Sequence, residues 1–179
     1  MATLTPQTIE SAPQGSKATL RAIQERHGFI PNLLATFASS PALLKGYLAL
    51  DAAWEKSSFS ALERQLIFLA ASVEHRCRYC IATHATALKG LKVSSQCIQA
   101  VRNRGSLGNQ RLDALVRLTR EVVLERGFVA PRTRRKFVAA GFNEVALMEV
   151  LIGVALKVMS NYLDNLAPIA IDAAFRGEA

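Results

Sequence analysis

Residues 60–90 read SALERQLIFLAASVEHRCRYCIATHATALKG, and this stretch decides the fold. Ser60 and Glu63 match the S-x-x-E pattern of a helix-capping box, and the apolar run 66–70 follows directly. A second helix is predicted from Cys77 to Lys89, because Gly90 is the residue type that most often follows a helix end. Two adjacent helices at the centre of the sequence predict a helical protein.

The segments on both sides of this stretch have the same helical character. Capping residues precede apolar positions spaced three or four apart, and glycines or prolines follow them. Further helices are predicted over residues 16–26, with Ser16 as the cap, 41–56, 94–105, 110–126, 131–141 and 144–166, with a short helical turn at 32–38. Strand-like alternation and hairpin turns are absent from the sequence. We therefore predict one all-α domain over residues 1–179, a bundle of about eight helices, with residues 1–15 as a loosely ordered N-terminal arm.

Composition is typical of a soluble globular protein. Half of the 179 residues are apolar, which is enough for a packed core. No apolar run approaches the roughly 18–20 residues that span a bilayer. The start of the sequence lacks the charged and apolar regions of a signal peptide. We expect a cytoplasmic protein with no membrane segment.

The net charge of +8 is unevenly distributed, with basic residues concentrated in 102–126 and 132–136. A basic face attracts anionic molecules, but no nucleic-acid-binding motif or aromatic cluster accompanies these charges. We expect a solvated surface or a subunit interface, and no nucleic-acid partner. The helices predicted at 110–126 and 144–166 are apolar around much of their circumference, which predicts a homo-oligomer.

The three cysteines, Cys77, Cys80 and Cys97, are too few for a disulfide framework. In a reducing cytosol, a closely spaced pair is typical of a redox-active or metal-binding site. Helical positions three and four apart share a face, so Cys77, Cys80 and His84 are predicted to lie in one line. The imidazole of His84 would then take the thiol proton and generate the nucleophilic thiolate.

A zinc site is the main alternative for these residues. Cys77, Cys80 and His84 would supply three ligands, and His75 or Cys97 would supply the fourth that structural zinc requires. Without zinc, Cys97 is most simply a buried residue and His75 a surface residue.

The motif Cys77-x-x-Cys80-x-x-x-His84, followed by Gly90, resembles the signature of the alkyl hydroperoxidase D-like branch of the carboxymuconolactone decarboxylase superfamily. Similarity to its peroxidase-related members covers most of the chain and includes residues 28–32, 40–41, 62–64 and 161–162. The resemblance implies an all-helical homo-oligomer that reduces a peroxide substrate, draws electrons from a thiol or dithiol donor, and needs no cofactor or metal. The decarboxylase branch lacks the cysteine pair, which argues against lactone decarboxylation.

The resemblance also implies a role for each motif residue. Cys80 would attack the peroxide oxygen and become a sulfenic acid, and Cys77 would resolve it to a disulfide. His84 would carry protons between Cys80 and the leaving oxygen. A thiol donor would then reduce the disulfide by exchange.

One position departs from the family pattern. The family's proton relay begins with a glutamate twelve positions before the first cysteine, and this chain has Gln65 there. An amide holds a hydrogen bond but does not shuttle a proton. Glu74, three residues before Cys77, is the candidate replacement, and Tyr79 is a candidate source of a further hydroxyl.

The function predicted from these features is a thiol-dependent peroxidase that reduces hydrogen or alkyl hydroperoxides in antioxidant defence. Two alternatives stay open. A thiol–disulfide oxidoreductase, or redox relay for a partner protein, needs an exposed Cys77 and no peroxide pocket. A redox- or zinc-responsive interaction module would use the basic face to bind a partner.

Overall fold

The protein is helical throughout the range that its structure, a computed structural model, describes, residues 4–179. Within that range there are nine α-helices, one C-terminal 3₁₀ helix and no strand. The helices are α1 (Gln14–His27), α2 (Asn32–Phe37), α3 (Pro41–Trp54), α4 (Ala61–Glu74), α5 (Arg78–Gly90), α6 (Ser95–Arg102), α7 (Gln110–Leu124), α8 (Pro131–Ala139), α9 (Glu144–Leu166) and the 3₁₀ helix (Ala173–Glu178). The predicted all-α class is confirmed. The short turn expected at 32–38 is helix α2, which accounts for the difference from about eight helices.

The first helix begins earlier than predicted. Ser16 lies inside α1 and does not cap it, because its hydroxyl donates a hydrogen bond to the carbonyl of Ala38 at 2.8 Å. The N-terminal arm predicted at 1–15 falls partly outside the described residues. Within the described part, the backbone N–H of Gln7 donates to Ala35 at 3.0 Å and Ala12 is buried. These contacts hold the segment before α1 against α2.

Helix α4 is the centre of the bundle and starts as predicted. The Ser60 hydroxyl accepts the backbone N–H of Glu63 at 3.2 Å, and the Glu63 carboxylate accepts the N–H of Ser60 at 2.9 Å. The helix packs against α5, α7 and α9. Leu66 and Leu69 face one apolar cluster while Ile67 faces another, and all three are fully buried. Burial on opposite sides explains the unbroken apolar run at 66–70.

The prediction that no apolar segment approaches membrane-spanning length is wrong for helix α9. Its 23 residues contain an 18-residue window of mean hydropathy 1.5, so by length and composition alone it is apolar enough to cross a membrane. In the structure α9 packs against α3, α4, α5 and α7. Its buried residues include Lys157, Asn161 and Asp164. A central helix of a helical bundle accounts for this composition, and a cytoplasmic location stays a prediction.

One side of α9 keeps an apolar surface. Met148, Leu151, Tyr162 and Leu166 on this side are each more than half exposed. Such a row is typical of helices that pack against a second subunit, although single exposed apolar residues are common on any protein. The predicted homo-oligomer stays a prediction.

We expect Gly153→Ala to destabilise the protein by about 1–3 kcal/mol, because the site has no room for a methyl group. A Cβ atom at Gly153 would lie 3.0 Å from both the Ile67 and the Trp54 side chains. Gly46→Ala in α3 is the matched control, since its added methyl group meets nothing within 4 Å. Alanine at that exposed helical position is expected to stabilise by up to about 1 kcal/mol. Urea unfolding gives the change in the free energy of unfolding for each variant. Equal changes in the two variants would contradict the packing described for α9.

Candidate active site

A left-handed turn separates α4 from α5 and sets the position of the first cysteine. Arg76 has φ 58°, and the backbone N–H of Cys77 donates to the carbonyl of Ser72 at 3.0 Å. This is the backbone pattern of a Schellman ending, in which glycine usually occupies the left-handed position. Cys77 consequently caps α5 and is not part of the helix, so the prediction that it shares a helical line with Cys80 is wrong.

The two cysteines nevertheless lie together at the start of α5. The Cys77 sulfur accepts the backbone N–H of Cys80 at 3.3 Å, and both residues are buried with exposures of 0% and 1%. Both are free thiols. The Cys77 thiol also donates to the carboxylate Oδ2 of Asp164 at 3.1 Å. The arrangement brings two sulfur atoms and one carboxylate into contact away from solvent.

Helix α9 contributes a row of buried polar side chains to this site. Lys157, Ser160, Asn161 and Asp164 are separated by three, one and three positions, so they share one face of the helix. Sequence analysis missed Lys157 and Asp164 because the apolar residues of α9 dominate its pattern. The usable signal was polar residues recurring every three or four positions on an otherwise apolar helix.

His84 is held from both sides by hydrogen bonds. Its Nε2 lies 2.8 Å from the Lys157 Nζ, and its Nδ1 lies 2.9 Å from the Gln65 Oε1. An ammonium group only donates, so Nε2 accepts and the proton of the neutral ring resides on Nδ1. Burial, followed by the charge of Lys157, lowers the pKa of His84 well below its ordinary value. His84 is therefore a neutral link between Gln65 and Lys157, and its two nitrogens are both occupied.

The two thiols differ in acidity. The hydrogen bond from Cys77 lowers the pKa of Cys80 from 9.0 to about 7, with burial opposing and the Lys157 charge assisting. The same hydrogen bond, together with burial, raises the pKa of Cys77. At pH 7, close to its pKa, Cys80 is partly in the thiolate form, while Cys77 retains its proton. That proton has two acceptors, the Cys80 sulfur and Asp164.

Lys157 is a buried cation at the centre of this network. Its side chain is 1% exposed, and Nζ lies 4.4 Å from the centroid of the Phe68 ring. Burial lowers its pKa, but interactions with Tyr47, Cys80 and Cys77 outweigh burial and the pKa is raised. No carboxylate oxygen of residues 4–179 lies within 4.0 Å of Nζ. An ammonium without a carboxylate partner favours the thiolate form of Cys80.

A cavity of about 770 Å³ leads to this site. Cys80, Lys157 and His84 line it, whereas Cys77 does not. Most of the other lining side chains are apolar or aromatic, among them Phe29, Leu33, Tyr47, Leu48, Trp54 and Phe68. The volume suits an organic substrate larger than hydrogen peroxide.

The structure does not bring Glu74 and the Tyr79 hydroxyl into hydrogen bonds with the dithiol. The carboxylate of Glu74 accepts three hydrogen bonds from Arg104, at 3.1, 3.2 and 3.1 Å. The Tyr79 hydroxyl donates to Asp172 at 2.5 Å, and this contact ties the C-terminal segment to α5. We therefore assign structural roles to these two side chains, while Gln65 occupies the position expected for the relay residue.

A zinc site is not assembled within the described residues, 4–179. His75 uses its Nδ1 in a contact with Asn161 at 3.0 Å, and Cys97 is half-buried on α6. No group of three or more His, Cys, Asp or Glu side chains in this part of the chain is arranged to hold a metal ion. The fourth zinc ligand considered from the sequence is consequently missing.

The basic stretch from 102 to 126 is largely paired inside the chain. Arg102 contacts Glu178, Arg104 and Arg120 contact Glu74, and Arg111 contacts Glu63. Internal pairing reduces the free charge available for an anionic partner on this face.

Residues 41–121 match the model of the carboxymuconolactone decarboxylase family, and this range contains α3 to α5 with both cysteines and His84. Over this range the chain is similar to the carboxymuconolactone decarboxylase family. The match confirms the resemblance to this family that the cysteine motif indicated. No curated protein matches the sequence.

Solved structures of low sequence identity confirm the alkyl hydroperoxidase D-like fold. An uncharacterized peroxidase-related protein from Ralstonia eutropha JMP134, with an alkylhydroperoxidase AhpD core, has 18% identity and TM-score 0.85, over 98% of this chain and 96% of that chain. A similar uncharacterized peroxidase-related protein from Silicibacter sp. TM1040 has 19% identity and TM-score 0.83, over 98% and 95%. The debrominase Bmp8, in complex with 2,3,4-tribromopyrrole, has 17% identity and TM-score 0.81, over 99% and 96%. Within this family fold, the chain combines the cysteine pair with a buried lysine.

Proposed function

We propose that the protein is a thiol-dependent peroxidase that reduces organic hydroperoxides through Cys80 and Cys77. The observation that carries this proposal is the position of Cys80, which lines an apolar cavity and lies in the field of the buried Lys157 ammonium. A peroxidase of this type needs a thiolate at neutral pH, a second thiol within reach and a source of protons. Two relatives of the same fold are described as peroxidase-related, which is consistent with the proposal.

In the first step the Cys80 thiolate attacks the terminal oxygen of the hydroperoxide. A sulfur–oxygen bond forms and the oxygen–oxygen bond breaks, so Cys80 becomes a sulfenic acid. The leaving alkoxide takes a proton from the Lys157 ammonium and departs as an alcohol. His84 accepts a hydrogen bond from Lys157 and so orients the ammonium group, which regains its proton from water in the cavity.

In the second step Cys77 attacks the sulfenic sulfur of Cys80. Asp164, in contact with the Cys77 sulfur at 3.1 Å, takes the thiol proton. A Cys77–Cys80 disulfide forms, and hydroxide leaves as water with a proton from Lys157. Asp164 then releases the thiol proton to solvent, and Lys157 regains a proton from solvent. The balance is one hydroperoxide and two thiols converted to one alcohol, one water and one disulfide.

A reductive dehalogenase is the second candidate, and the aromatic lining of the cavity favours it. Tyr47, Trp54 and Phe68 surround a volume that suits a halogenated ring near Cys80. The same two thiols would supply two electrons, giving a halide, a carbon–hydrogen bond and a disulfide. Bmp8 has this fold and is a debrominase. Bromide release from 2,3,4-tribromopyrrole, measured by ion chromatography, separates this activity from peroxide reduction.

The remaining alternatives have less support. A redox relay would bring the disulfide of a folded partner against Cys77, and a folded protein is too bulky to reach this sulfur, which is 0% exposed. A zinc-responsive module needs a ligand set that residues 4–179 do not assemble.

The test is a single-turnover thiol assay with cumene hydroperoxide on reduced Cys97→Ser protein. This background leaves only the active-site pair, because Cys97 is the third cysteine of the chain. We expect loss of both remaining thiols for each peroxide consumed, with cumyl alcohol as the product. Survival of both thiols in excess peroxide would refute the peroxidase proposal.

A further inference from the structure

A second cleft lies beside Cys77. The residues discussed below that line it do not line the apolar cavity. The cleft has a volume of about 840 Å³, and its lining includes Arg76, Arg78, Arg176, Asp164 and His75. None of these five residues lines the apolar cavity, and neither cysteine lines the second cleft. Asp164 connects this cleft to the dithiol, because its Oδ2 contacts the Cys77 sulfur.

The charge of the second cleft favours anions. Arg76, Arg78 and Arg176 are exposed, and none of the three has an ion-pair partner within residues 4–179. Among the lining side chains, Asp164 carries the carboxylate, which already accepts the Cys77 thiol and the backbone N–H of Ile169. Three unpaired guanidinium groups around one concave surface are suited to bind carboxylates.

We propose that this cleft receives the electron donor, a thiol that carries carboxylates and is small enough to reach the buried Cys77 sulfur when the Asp164 side chain moves aside. The inference rests on the proposed function only in requiring a Cys77–Cys80 disulfide. The peroxide and the reductant would thus approach the pair from different sides.

The choice of Cys77 as the attacked sulfur follows from leaving-group chemistry. In thiol–disulfide exchange, the sulfur whose thiol has the lower pKa leaves faster, and that sulfur is Cys80. The Lys157 ammonium stabilises the departing Cys80 thiolate. The second cleft is the side from which a donor would approach Cys77, because Asp164 lines that cleft and contacts the Cys77 sulfur.

The proposed reduction balances in two exchanges. The donor thiol gives its proton to Asp164, its sulfur bonds to Cys77, and Cys80 leaves as a thiolate. A second donor molecule attacks the donor sulfur of this mixed disulfide and releases its own proton to solvent. Cys77 leaves, takes the proton from Asp164, and the donor departs as its disulfide. Both cysteines are then reduced, with Cys80 ready as the thiolate.

The experiment compares small thiols of different charge as reductants of the oxidised protein. The disulfide is formed with diamide, in the Cys97→Ser background, so the assay is independent of peroxide. Mercaptosuccinate, 2-mercaptoethanol and cysteamine are compared at equal thiolate concentration and low ionic strength. We expect mercaptosuccinate to react at least about 10-fold faster than cysteamine, with a ratio that falls as salt is added.

A charge-reversal variant tests whether the second cleft causes the preference for mercaptosuccinate over cysteamine. Arg176→Glu is expected to reduce the mercaptosuccinate-to-cysteamine ratio to about one. Arg135→Glu, at an exposed arginine outside the cleft, is the matched control and should keep the ratio of the parent protein. Because each ratio is measured within one variant, partial loss of folded protein does not affect it.

Equal ratios in both variants, or faster reduction by cysteamine in the parent protein, would overturn the inference. If peroxide fails to oxidise the thiols but the charge preference holds, the proposed function fails and the cleft assignment stands.

Discussion

Replacing Cys80 by serine is expected to abolish peroxide-dependent thiol loss. A serine hydroxyl is not ionised at neutral pH, so no nucleophile remains at the position that lines the apolar cavity. Cys77 does not substitute for it, because burial raises the pKa of the Cys77 thiol and Cys77 does not line the cavity. Stopped-flow measurement of thiol loss with cumene hydroperoxide gives the rate directly.

The companion variant Cys77→Ser separates the two cysteine roles. The serine hydroxyl can donate the hydrogen bond that Cys77 donates to the Cys80 thiolate, so peroxide should still oxidise Cys80. The reaction should stop at the sulfenic acid because no resolving thiol remains. Dimedone labelling followed by mass spectrometry detects that species on Cys80. Cys97→Ser is the control that keeps the full reaction. The reverse pattern, with Cys80→Ser forming a sulfenic acid on Cys77, would assign the nucleophile to the other cysteine.

Replacing Lys157 by methionine is expected to slow peroxide reduction at pH 7 by about 10-fold for each unit by which the Cys80 pKa rises. The ammonium is removed from the thiolate while the buried hydrocarbon volume is largely kept. The proton donor for the alkoxide is lost as well, which adds to the effect. Lys45→Met, at an exposed position of α3, is the matched control and should leave the rate unchanged.

A pH series distinguishes this electrostatic role from simple packing. Above the raised pKa the variant again carries a Cys80 thiolate, so most of its rate deficit should disappear as the pH increases. A deficit of the same size at every pH would indicate that Lys157 acts through structure or proton donation alone. An unchanged rate at pH 7 would exclude Lys157 from the reaction.

Several features of the site were accessible from the sequence because they depend on local patterns. The capping box at Ser60 and Glu63 predicted the start of α4, and the cysteine spacing predicted a dithiol near His84. The family motif identified position 65 as the place of the relay residue, and Gln65 bonds to His84. These predictions needed only residues close in sequence, or a motif that already encodes their proximity.

The parts that were not predicted depend on distant contacts. Arg76 adopts a left-handed conformation that glycine usually supplies, so the break between α4 and α5 left no sequence signal. Glu74 pairs with Arg104, thirty residues away, and this contact removes it from the relay. Lys157 and Asp164 reach the dithiol only because α9 packs against α4 and α5.

The site carries a cation where the family pattern has an anion. Gln65 supplies a neutral hydrogen bond in place of the relay glutamate, and Lys157 binds the other nitrogen of His84. In this arrangement the imidazole is neutral, and the Lys157 ammonium supplies the charge that stabilises the Cys80 thiolate. The hydrogen bond from Cys77, assisted by the charge of Lys157, lowers the pKa of Cys80 without a carboxylate at position 65.

The most direct test of this account is the pH dependence of Cys80 oxidation by cumene hydroperoxide. The second-order rate constant of the Cys97→Ser protein would be measured between pH 5 and 9.5. We predict a rise through a midpoint at about pH 7 and a plateau above it, because the reactive thiolate forms at the lowered pKa of Cys80. A midpoint near 9.0, the ordinary value for a thiol, or the absence of any reaction with the hydroperoxide, would contradict it.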